Sequence, residues 1–291
     1  ELLTLFPIVK AFMPRLVYDM HEYVPEAVAG KPYLPQAVRP AASRTTALAQ
    51  RSLAALASGV VVVTEGQLDA LGSEPELRLV SPNYPRLERF KDAVPVPELA
   101  ADPRLKIVYV GSLSRARGCT VMLDVMERLG PEEAVLYLGG TFNDAALEDV
   151  VKARLAAGLE DRVKLLGRVP PAELPRYLGA ADVVWVPSVP TAQYSNTAVA
   201  TKLFEGMAMG LAALVSDLPG RGDIVRTERC GLAVEPNVQG HLAGVRRLLA
   251  RRADLPGMGA RARAAVARRY SWEAVERDLV DFYGALCSGP G

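Results

Sequence analysis

The chain has 291 residues, half of them hydrophobic, and 34 basic residues nearly balance 33 acidic ones to leave a net charge of +1. This length predicts two domains or one large one, and the absence of a basic block argues against a nucleic-acid partner. The three cysteines (Cys119, Cys230 and Cys287) are odd in number and far apart, which argues against a disulfide framework or a zinc site and fits a cytoplasmic protein. No apolar run reaches membrane-spanning length, and no signal-peptide pattern is present.

The first residues read as the later part of a helix, ELLTLFPIVKAF, followed at once by a strand, RLVYD. We therefore expect an upstream segment to be missing from this chain. Apolar side chains cluster here beside Lys10 and Arg15: Phe6, Ile8, Val9, Phe12 and Met13. One interpretation is a core helix uncovered by truncation. The other is peripheral contact with the inner face of a membrane.

Strand-like apolar runs alternate with helical patterns along the whole chain. The predicted strands are Leu16–Asp19, Val60–Thr64, Arg78–Ser81, Ile107–Gly111, Val135–Gly139, Val163–Leu166, Val183–Pro187, Ala213–Ser216 and Leu232–Val234. The predicted helices include Thr120–Leu129, Ala145–Ala157, Pro171–Ala180, Thr197–Met209 and Gly240–Arg251. This alternation indicates an α/β protein with parallel sheets covered on both faces. The six strands from Ile107 onward suffice for one complete doubly wound domain.

Ligands of open α/β sheets bind beyond the carboxyl ends of the strands, so loops that directly follow strands are the informative ones. The first is YVGSLSRARG, residues 109–118, in which Gly111 ends a strand and a helix begins near Thr120. A helix N-terminus favours an anion, and Arg117 adds a guanidinium suited to phosphate. The alternative is an ordinary strand–helix loop with a solvated arginine.

The second segment is SNTAVATKLFEGMAMG, residues 195–210. Ser195, Asn196 or Thr197 is suited to cap the helix. Lys202 and Glu205 are three residues apart and share one helix face. The glutamate is suited to accept hydrogen bonds from a ribose diol, and the lysine to meet a phosphate. The alternative is an ion pair on a solvated face.

Two further post-strand segments carry weaker signals. His21 follows a strand within YDMHEY, where it is placed to donate a hydrogen bond or handle a proton, or else to serve as a structural histidine. Arg168 and Val169 follow another strand, where the backbone can pass close to a flat base. His241, beside a predicted helix start, is expected to be solvated.

Together these segments resemble the retaining glycosyltransferases of family 4, which have the GT-B fold. GSLSRARG resembles the family's donor-diphosphate loop, and DRVKLLGRVPPAELPRYLGAADVVWVPS its nucleotide-base segment. TKLFEGMAMGLAALVSDLPG resembles the glutamate-bearing helix and the loop after it, and YDMHEY an Asp-x-His-Glu variant found in one branch. RYSWEAVERDLVDFYGAL is similar to the closing helix.

The resemblance implies a role for each matching residue. Glu205 binds the donor ribose, Arg117 the diphosphate, and His21 lies near the transferred sugar, with Arg168 and Val169 flanking the base. The implied catalytic residues are His21, Arg117 and Lys202. The remaining implied donor contacts are Gly111, Ser112, Ser195, Asn196 and Thr197.

The implied reaction moves a sugar from a nucleoside diphosphate sugar to an acceptor with retention of configuration. It uses no metal and no cofactor besides the donor substrate. The acceptor class (glycan, lipid-linked or small molecule) stays open, as does the oligomeric state. The implied location is the cytoplasm, with peripheral membrane contact at its inner face as the variant noted above.

Two positions depart from the family pattern. The usual phosphate-binding arginine aligns with Ser112, and the first glutamate of the Glu-x7-Glu pattern aligns with Thr197. These departures favour a second hypothesis, a non-catalytic GT-B protein that binds nucleotide sugar or serves as an assembly partner. A GT-B sugar-nucleotide epimerase ranks lower, because that family's histidine- and acid-rich site is not visible in the sequence.

The resemblance also predicts a domain layout. Residues 1–95 form a partial amino-terminal, acceptor-side Rossmann-like domain. The join falls in residues 83–104, which contain several prolines and read as a linker, and the linker itself is placed at residues 96–104. Residues 105–270 form the donor-binding Rossmann-like domain. Residues 271–291 form a helix that crosses back to the first domain.

Overall fold

The computed structural model describes residues 8, 11–13, 15–21, 23–29, 34–72, 76–190 and 201–288. These residues form two compact units. The first contains the described residues up to Asn83 and those from Glu273 onward, and the second contains residues 84–190 and 201–272. Both units contain a parallel sheet with helices packed against it.

The first unit has a three-stranded parallel sheet in the order β1–β2–β3. Its strands are β1 (Val17–Met20), β2 (Gly59–Val62) and β3 (Arg78–Val80), and its helices α1 (Val24–Ala29), α2 (Arg39–Leu56), α3 (Glu65–Leu71) and α12 (Trp272–Ser288). Phe282 of α12 lies against the start of β2, where a Cβ on Gly59 would come 2.7 Å from its ring. A glycine at this position therefore lets the closing helix approach the sheet.

The second unit has a six-stranded parallel sheet in the order β6–β5–β4–β7–β8–β9. Its strands are β4 (Leu105–Val110), β5 (Ala134–Gly139), β6 (Val163–Gly167), β7 (Val183–Val186), β8 (Ala212–Ser216) and β9 (Gly231–Val234). The first strand of the unit stands in the middle, which is the doubly wound arrangement. All nine predicted strands are present with ends within two residues, and the α/β class with Rossmann-like parallel sheets is confirmed.

Eight helices of the second unit lie in the described residues: α4 (Pro97–Ala100), α5 (Cys119–Glu127), α6 (Ala145–Arg154), α7 (Leu174–Gly179), α8 (Thr201–Ala208), α9 (Arg221–Thr227), α10 (Val238–Ala250) and α11 (Leu255–Arg269). The helix predicted as Ala145–Ala157 keeps α geometry only to Arg154. A π turn, Leu155–Leu159, follows it, and Gly158 at φ +118° breaks the helical backbone there.

Side chains alternate between the two faces of the six-stranded sheet and form two separate cores. Ile107 and Leu136 belong to the core on one face, with α5 and α10, whereas Val108 and Val135 belong to the other, with α8 and α11. The second core also takes in the segment before β4. Tyr84 packs edge-to-face on Phe204 at a ring-centroid distance of 4.8 Å, so residues 84–104 are part of this unit's packing.

His241 is completely buried, and the expectation of a solvated side chain is wrong. The indole Nε1 of Trp185 donates to its Nδ1 over 3.0 Å, and its Nε2 lies 2.9 Å from Ser216 Oγ. Because Nδ1 accepts, the neutral ring carries its proton on Nε2 and donates to the serine. Burial lowers the pKa of His241 to about 4.

In the part of the chain that the structure describes, no helix has both the length and the apolar character needed to cross a membrane. Ile8, Phe12 and Met13 of the amino-terminal apolar cluster are exposed. The cluster's other members, Phe6 and Val9, and the nearby Lys10 lie outside the described residues.

Candidate functional site

In the second sheet, successive strands are added towards one edge from β4 to β6 and towards the other edge from β7 to β9. The strand order therefore reverses between β4 and β7, which are parallel neighbours although two strands separate them in sequence. The loop after β4 and the chain after β7 therefore leave the sheet on opposite sides and open a crevice at its carboxyl edge. Residues 111–118 form the first of these segments, and α8 lies on the chain that follows the second. The candidate site is built at this crevice.

Backbone hydrogen bonds hold three neighbouring post-strand loops side by side. The N–H of Gly111 donates to the carbonyl of Gly139 over 3.0 Å, and the N–H of Gly140 donates to the carbonyl of Gly167 over 2.7 Å. A Cβ on Gly140 would overlap the carbonyl oxygen of Gly111. Main-chain atoms of the three loops are therefore packed closely beside the site.

Lys202 reaches from α8 across the crevice to the end of β4. Its Nζ donates to the hydroxyl of Tyr109 over 2.8 Å and lies 4.2 Å from the centre of that ring. The same hydroxyl donates to the carbonyl of Ser112 over 2.8 Å. A Cβ on Gly111, whose φ is +151°, would come within 3.0 Å of Lys202 Nζ. The lysine nitrogen therefore lies directly on the loop that the sequence predicts to hold a phosphate.

The pKa of the Lys202 amine is lowered to about 7, and burial is the main cause. The positive charges of Arg117 and Arg221 also lower this pKa, whereas the carboxylate of Glu205 raises it. Since Arg117 and Arg221 lie near this amine and can offset the charge of Glu205, the site favours a bound anion, which would in turn favour the ammonium form of Lys202.

Glu205 lies one turn further along α8 and is half-buried. Burial raises the pKa of its carboxyl group, while Arg89 and Lys202 act in the opposite direction. Both side chains are described, yet no ion pair joins Lys202 to Glu205, because the lysine turns to Tyr109 instead. The alternative of an ion pair on a solvated face is therefore wrong.

Ser112 and Arg117 occupy the two ends of the loop after β4. The Ser112 hydroxyl donates to Asn143 Oδ1 over 2.6 Å. Arg117 is half-buried, and its N–H donates to the carbonyl of Ser114 over 3.2 Å. Gly118, at φ +79°, caps the start of α5, so Arg117 lies at the electropositive end of that helix.

The segment predicted to approach a base follows β6. Val169 lies against β5, where a Cβ on Gly139 would come 2.9 Å from its Cγ2. Arg168 is exposed. The backbone at Gly167 has a φ of +64°, which turns the chain at the strand end. The structure thus places Val169 at the same carboxyl edge as Gly111.

His21 belongs to the first unit, one residue after β1. Its side chain is exposed, and its Nε2 lies 3.4 Å from Asp19 Oδ2. The residues Ser195, Asn196 and Thr197, predicted to lie before α8, fall outside the described residues.

Three residues at this edge were missed by sequence reasoning. Tyr109 reads only as one more apolar residue of a core strand, and Arg89 lies in the stretch 83–104 that reads as a linker. Arg221, the first residue of α9, is completely buried. Arg221 comes shortly after β8, and the loop between them leaves the sheet at the same carboxyl edge as the loop after β4. Its place after a predicted strand could therefore have identified it from the sequence.

Within the described ranges, no group of three or more histidine, cysteine, aspartate or glutamate side chains is arranged to hold a metal ion.

A known protein family matches most of the second unit. The family described as glycosyl transferases group 1 matches residues 104–251. The amylovoran biosynthesis glycosyltransferase AmsK of Erwinia amylovora is 30% identical over 189 residues, which are 62% of this chain and 45% of that protein. A phosphatidyl-myo-inositol mannosyltransferase of Mycobacterium leprae is 27% identical over 229 residues, 76% of this chain and 56% of the other. The chain spans about half the length of these relatives.

Solved structures match nearly the whole chain. Sucrose-phosphate synthase from Thermosynechococcus elongatus superposes with a TM-score of 0.76 at 20% identity, over 98% of this chain and 77% of that one. Anabaena HepE, solved in complex with UDP, superposes with a TM-score of 0.78 at 18% identity, over 97% and 76% of the two chains. These likenesses establish the fold as that of GT-B proteins and confirm the predicted fold class.

Proposed function

Since the chain belongs to the group 1 glycosyltransferases, we propose that it moves a sugar from a nucleoside diphosphate sugar to an acceptor with retention of configuration. The observation that carries this proposal is the Lys202 nitrogen lying on Gly111 at the switch point of the second sheet. A half-buried lysine nitrogen at this place, beside the start of α5, is suited to a diphosphate.

Each end of the donor has a proposed partner. The diphosphate lies over residues 111–112, opposite Lys202 and Arg117, and Arg221 adds positive charge near Lys202. Glu205 accepts hydrogen bonds from the ribose hydroxyls, and Arg168 and Val169 flank the base. The proposed donor set also includes Ser195, Asn196 and Thr197, on the segment outside the described residues.

In the proposed reaction the bond between the sugar's anomeric carbon and the diphosphate oxygen breaks, and a bond to the acceptor oxygen forms on the same face. The acceptor hydroxyl gives its proton to the departing diphosphate. Negative charge develops on the leaving diphosphate, and fixed positive groups lower the barrier by stabilising that charge. Lys202, Arg117 and the α5 N-terminus supply these groups, so the proposal requires no metal and no cofactor. His21 is proposed to lie near the transferred sugar.

The names of the relatives guide the choice of substrates. HepE was solved with UDP and with UDP-glucose, which makes uridine the first base to test. By their names, AmsK is a glycosyltransferase of amylovoran biosynthesis and the Mycobacterium leprae relative is a phosphatidyl-myo-inositol mannosyltransferase. We propose an acceptor of a surface glycan, glycolipid or metabolite, reached from the cytoplasm or from the inner face of a membrane.

The test is release of nucleoside diphosphate from UDP-, GDP-, ADP- and dTDP-sugars, with water or added glycans as acceptor. Glu205→Gln keeps the shape of the side chain and removes its charge, and Glu148→Gln on α6 is the matched control, since Glu148 pairs only with Lys152 among the described residues. The proposal expects release with one nucleotide family, lost in Glu205→Gln and kept in Glu148→Gln. Binding without release from any donor would support the non-catalytic alternative.

A further inference from the structure

The hydroxyl of Tyr109 joins two parts of the site that are far apart in sequence. Tyr109 is 1% exposed, so its hydroxyl has little access to water. A carbonyl oxygen can only accept, so the hydroxyl donates its one proton to Ser112. It must then accept from Lys202, which is 93 residues away in sequence. The direction of both bonds is fixed by the chemistry of the partners.

This arrangement restricts where the lysine nitrogen can lie. The Tyr109 hydroxyl holds Nζ at the end of β4, and the absence of a side chain at Gly111 leaves room for it there. The ring below adds a cation–π contact at 4.2 Å, which favours a charged nitrogen over a neutral one.

Opposing influences act on the charge of Lys202 from several of the elements that the structure describes around it. Arg117 on the loop after β4 and Arg221 on α9 disfavour the ammonium form, whereas Glu205 on the same helix favours it. Tyr109 on β4 also faces the amine, and its hydroxyl oxygen favours the ammonium form by accepting a hydrogen bond from Lys202. With these influences the amine titrates with a pKa of about 7.

We propose that Tyr109 is a positioning residue of the donor site: its hydroxyl fixes the Lys202 nitrogen against Gly111 and keeps it in the ammonium form that a bound diphosphate requires. This inference rests on the proposed function for its ligand, but the link between Tyr109 and Lys202 is testable without one. Diphosphate binding then takes up a proton at Lys202, so affinity is highest below pH 7 and falls as the pH rises above it.

The first experiment follows the charge of Lys202 in the protein without nucleotide. NMR of ε-¹³C-lysine resolves seven lysines, and Lys202→Arg identifies the signal of interest. Tyr109→Phe keeps the ring and removes the hydroxyl; we expect it to lower the titration midpoint of Lys202 by about one pH unit. Tyr137→Phe, on the adjacent strand with its ring in the opposite core, is the control and should leave the midpoint unchanged. An unchanged midpoint in folded Tyr109→Phe would overturn the proposal.

The second experiment measures the affinity of UDP, GDP and inorganic pyrophosphate by calorimetry at pH 6 and pH 8. We expect Tyr109→Phe to weaken binding about three- to tenfold at pH 8 and less than about twofold at pH 6. A merely structural defect would weaken binding equally at both values, and that result would overturn the proposal. Absence of binding in the wild type would instead overturn the proposed function, while the NMR midpoint still decides the role of Tyr109.

Discussion

Trp185 on β7 donates an indole hydrogen bond of 3.0 Å to His241 on α10, and both side chains are completely buried. The histidine is thereby held neutral inside the core of the second unit. Its pKa of about 4 lies below the ordinary value of 6.5 for the unfolded chain. The unfolded state therefore binds a proton at a higher pH than the folded state does.

The first prediction concerns acid stability. The contribution of His241 to stability is fully present above pH 6.5 and is lost as the pH falls towards 4, by up to about 3 kcal/mol over this window. Urea unfolding at pH 7, 6, 5 and 4.5 measures this loss. His241→Gln keeps a hydrogen-bonding side chain but removes the titrating ring, so the free energy of unfolding should depend less steeply on pH.

The chain offers a matched control for this prediction, since it contains only two histidines. The other, His21, is exposed, and His21→Gln is the comparison variant in the same series of urea titrations. If the free energy of unfolding of folded His241→Gln depends on pH as steeply as that of the wild type, other groups cause the loss of stability.

The second prediction separates backbone strain from crowding at the site. Gly111 and Gly158 both have positive φ values, so alanine at either position is strained by about 1–3 kcal/mol. A Cβ on Gly111 meets Lys202, whereas a Cβ on Gly158 meets nothing within 4 Å. Both variants should lose stability, but only Gly111→Ala should lose nucleotide affinity, measured by calorimetry. Equal affinities in the two variants would place the nucleotide away from Gly111.

The strands were predictable from the sequence because each is a short, continuous apolar run. Trp185 and Ser216, on two neighbouring strands, form the hydrogen bonds that hold His241 in the core. These residues are far from His241 in sequence, so local sequence patterns do not predict the contacts. The same holds for the site. Lys202 and Arg117 were predicted as donor contacts from their places after strands, but the hydroxyl that accepts the hydrogen bond of Lys202 belongs to Tyr109, whose sequence context is that of an ordinary core residue.

The third prediction concerns the packing of the helix that carries the candidate residues. Phe204, 1% exposed, follows Lys202 by two positions, stacks on Tyr270 at 5.3 Å and meets Tyr84 edge-to-face. Phe204→Ala should lower the free energy of unfolding by about 3–5 kcal/mol. Phe12→Ala, at an 83% exposed position, should change it by less than about 0.5 kcal/mol. Denaturant titration of both variants compares them, and similar losses would contradict this packing.

The most direct test of the donor site is a thermal-unfolding screen of the wild type and Glu205→Ala against UDP, GDP, ADP and dTDP. A nucleotide that binds only the folded state should add about 2.7 kcal/mol at 100 times its dissociation constant. We predict stabilisation by one nucleotide family, lost in Glu205→Ala. A folded wild-type protein that none of the four nucleotides stabilises would contradict a nucleoside-diphosphate site at the carboxyl edge of the second sheet.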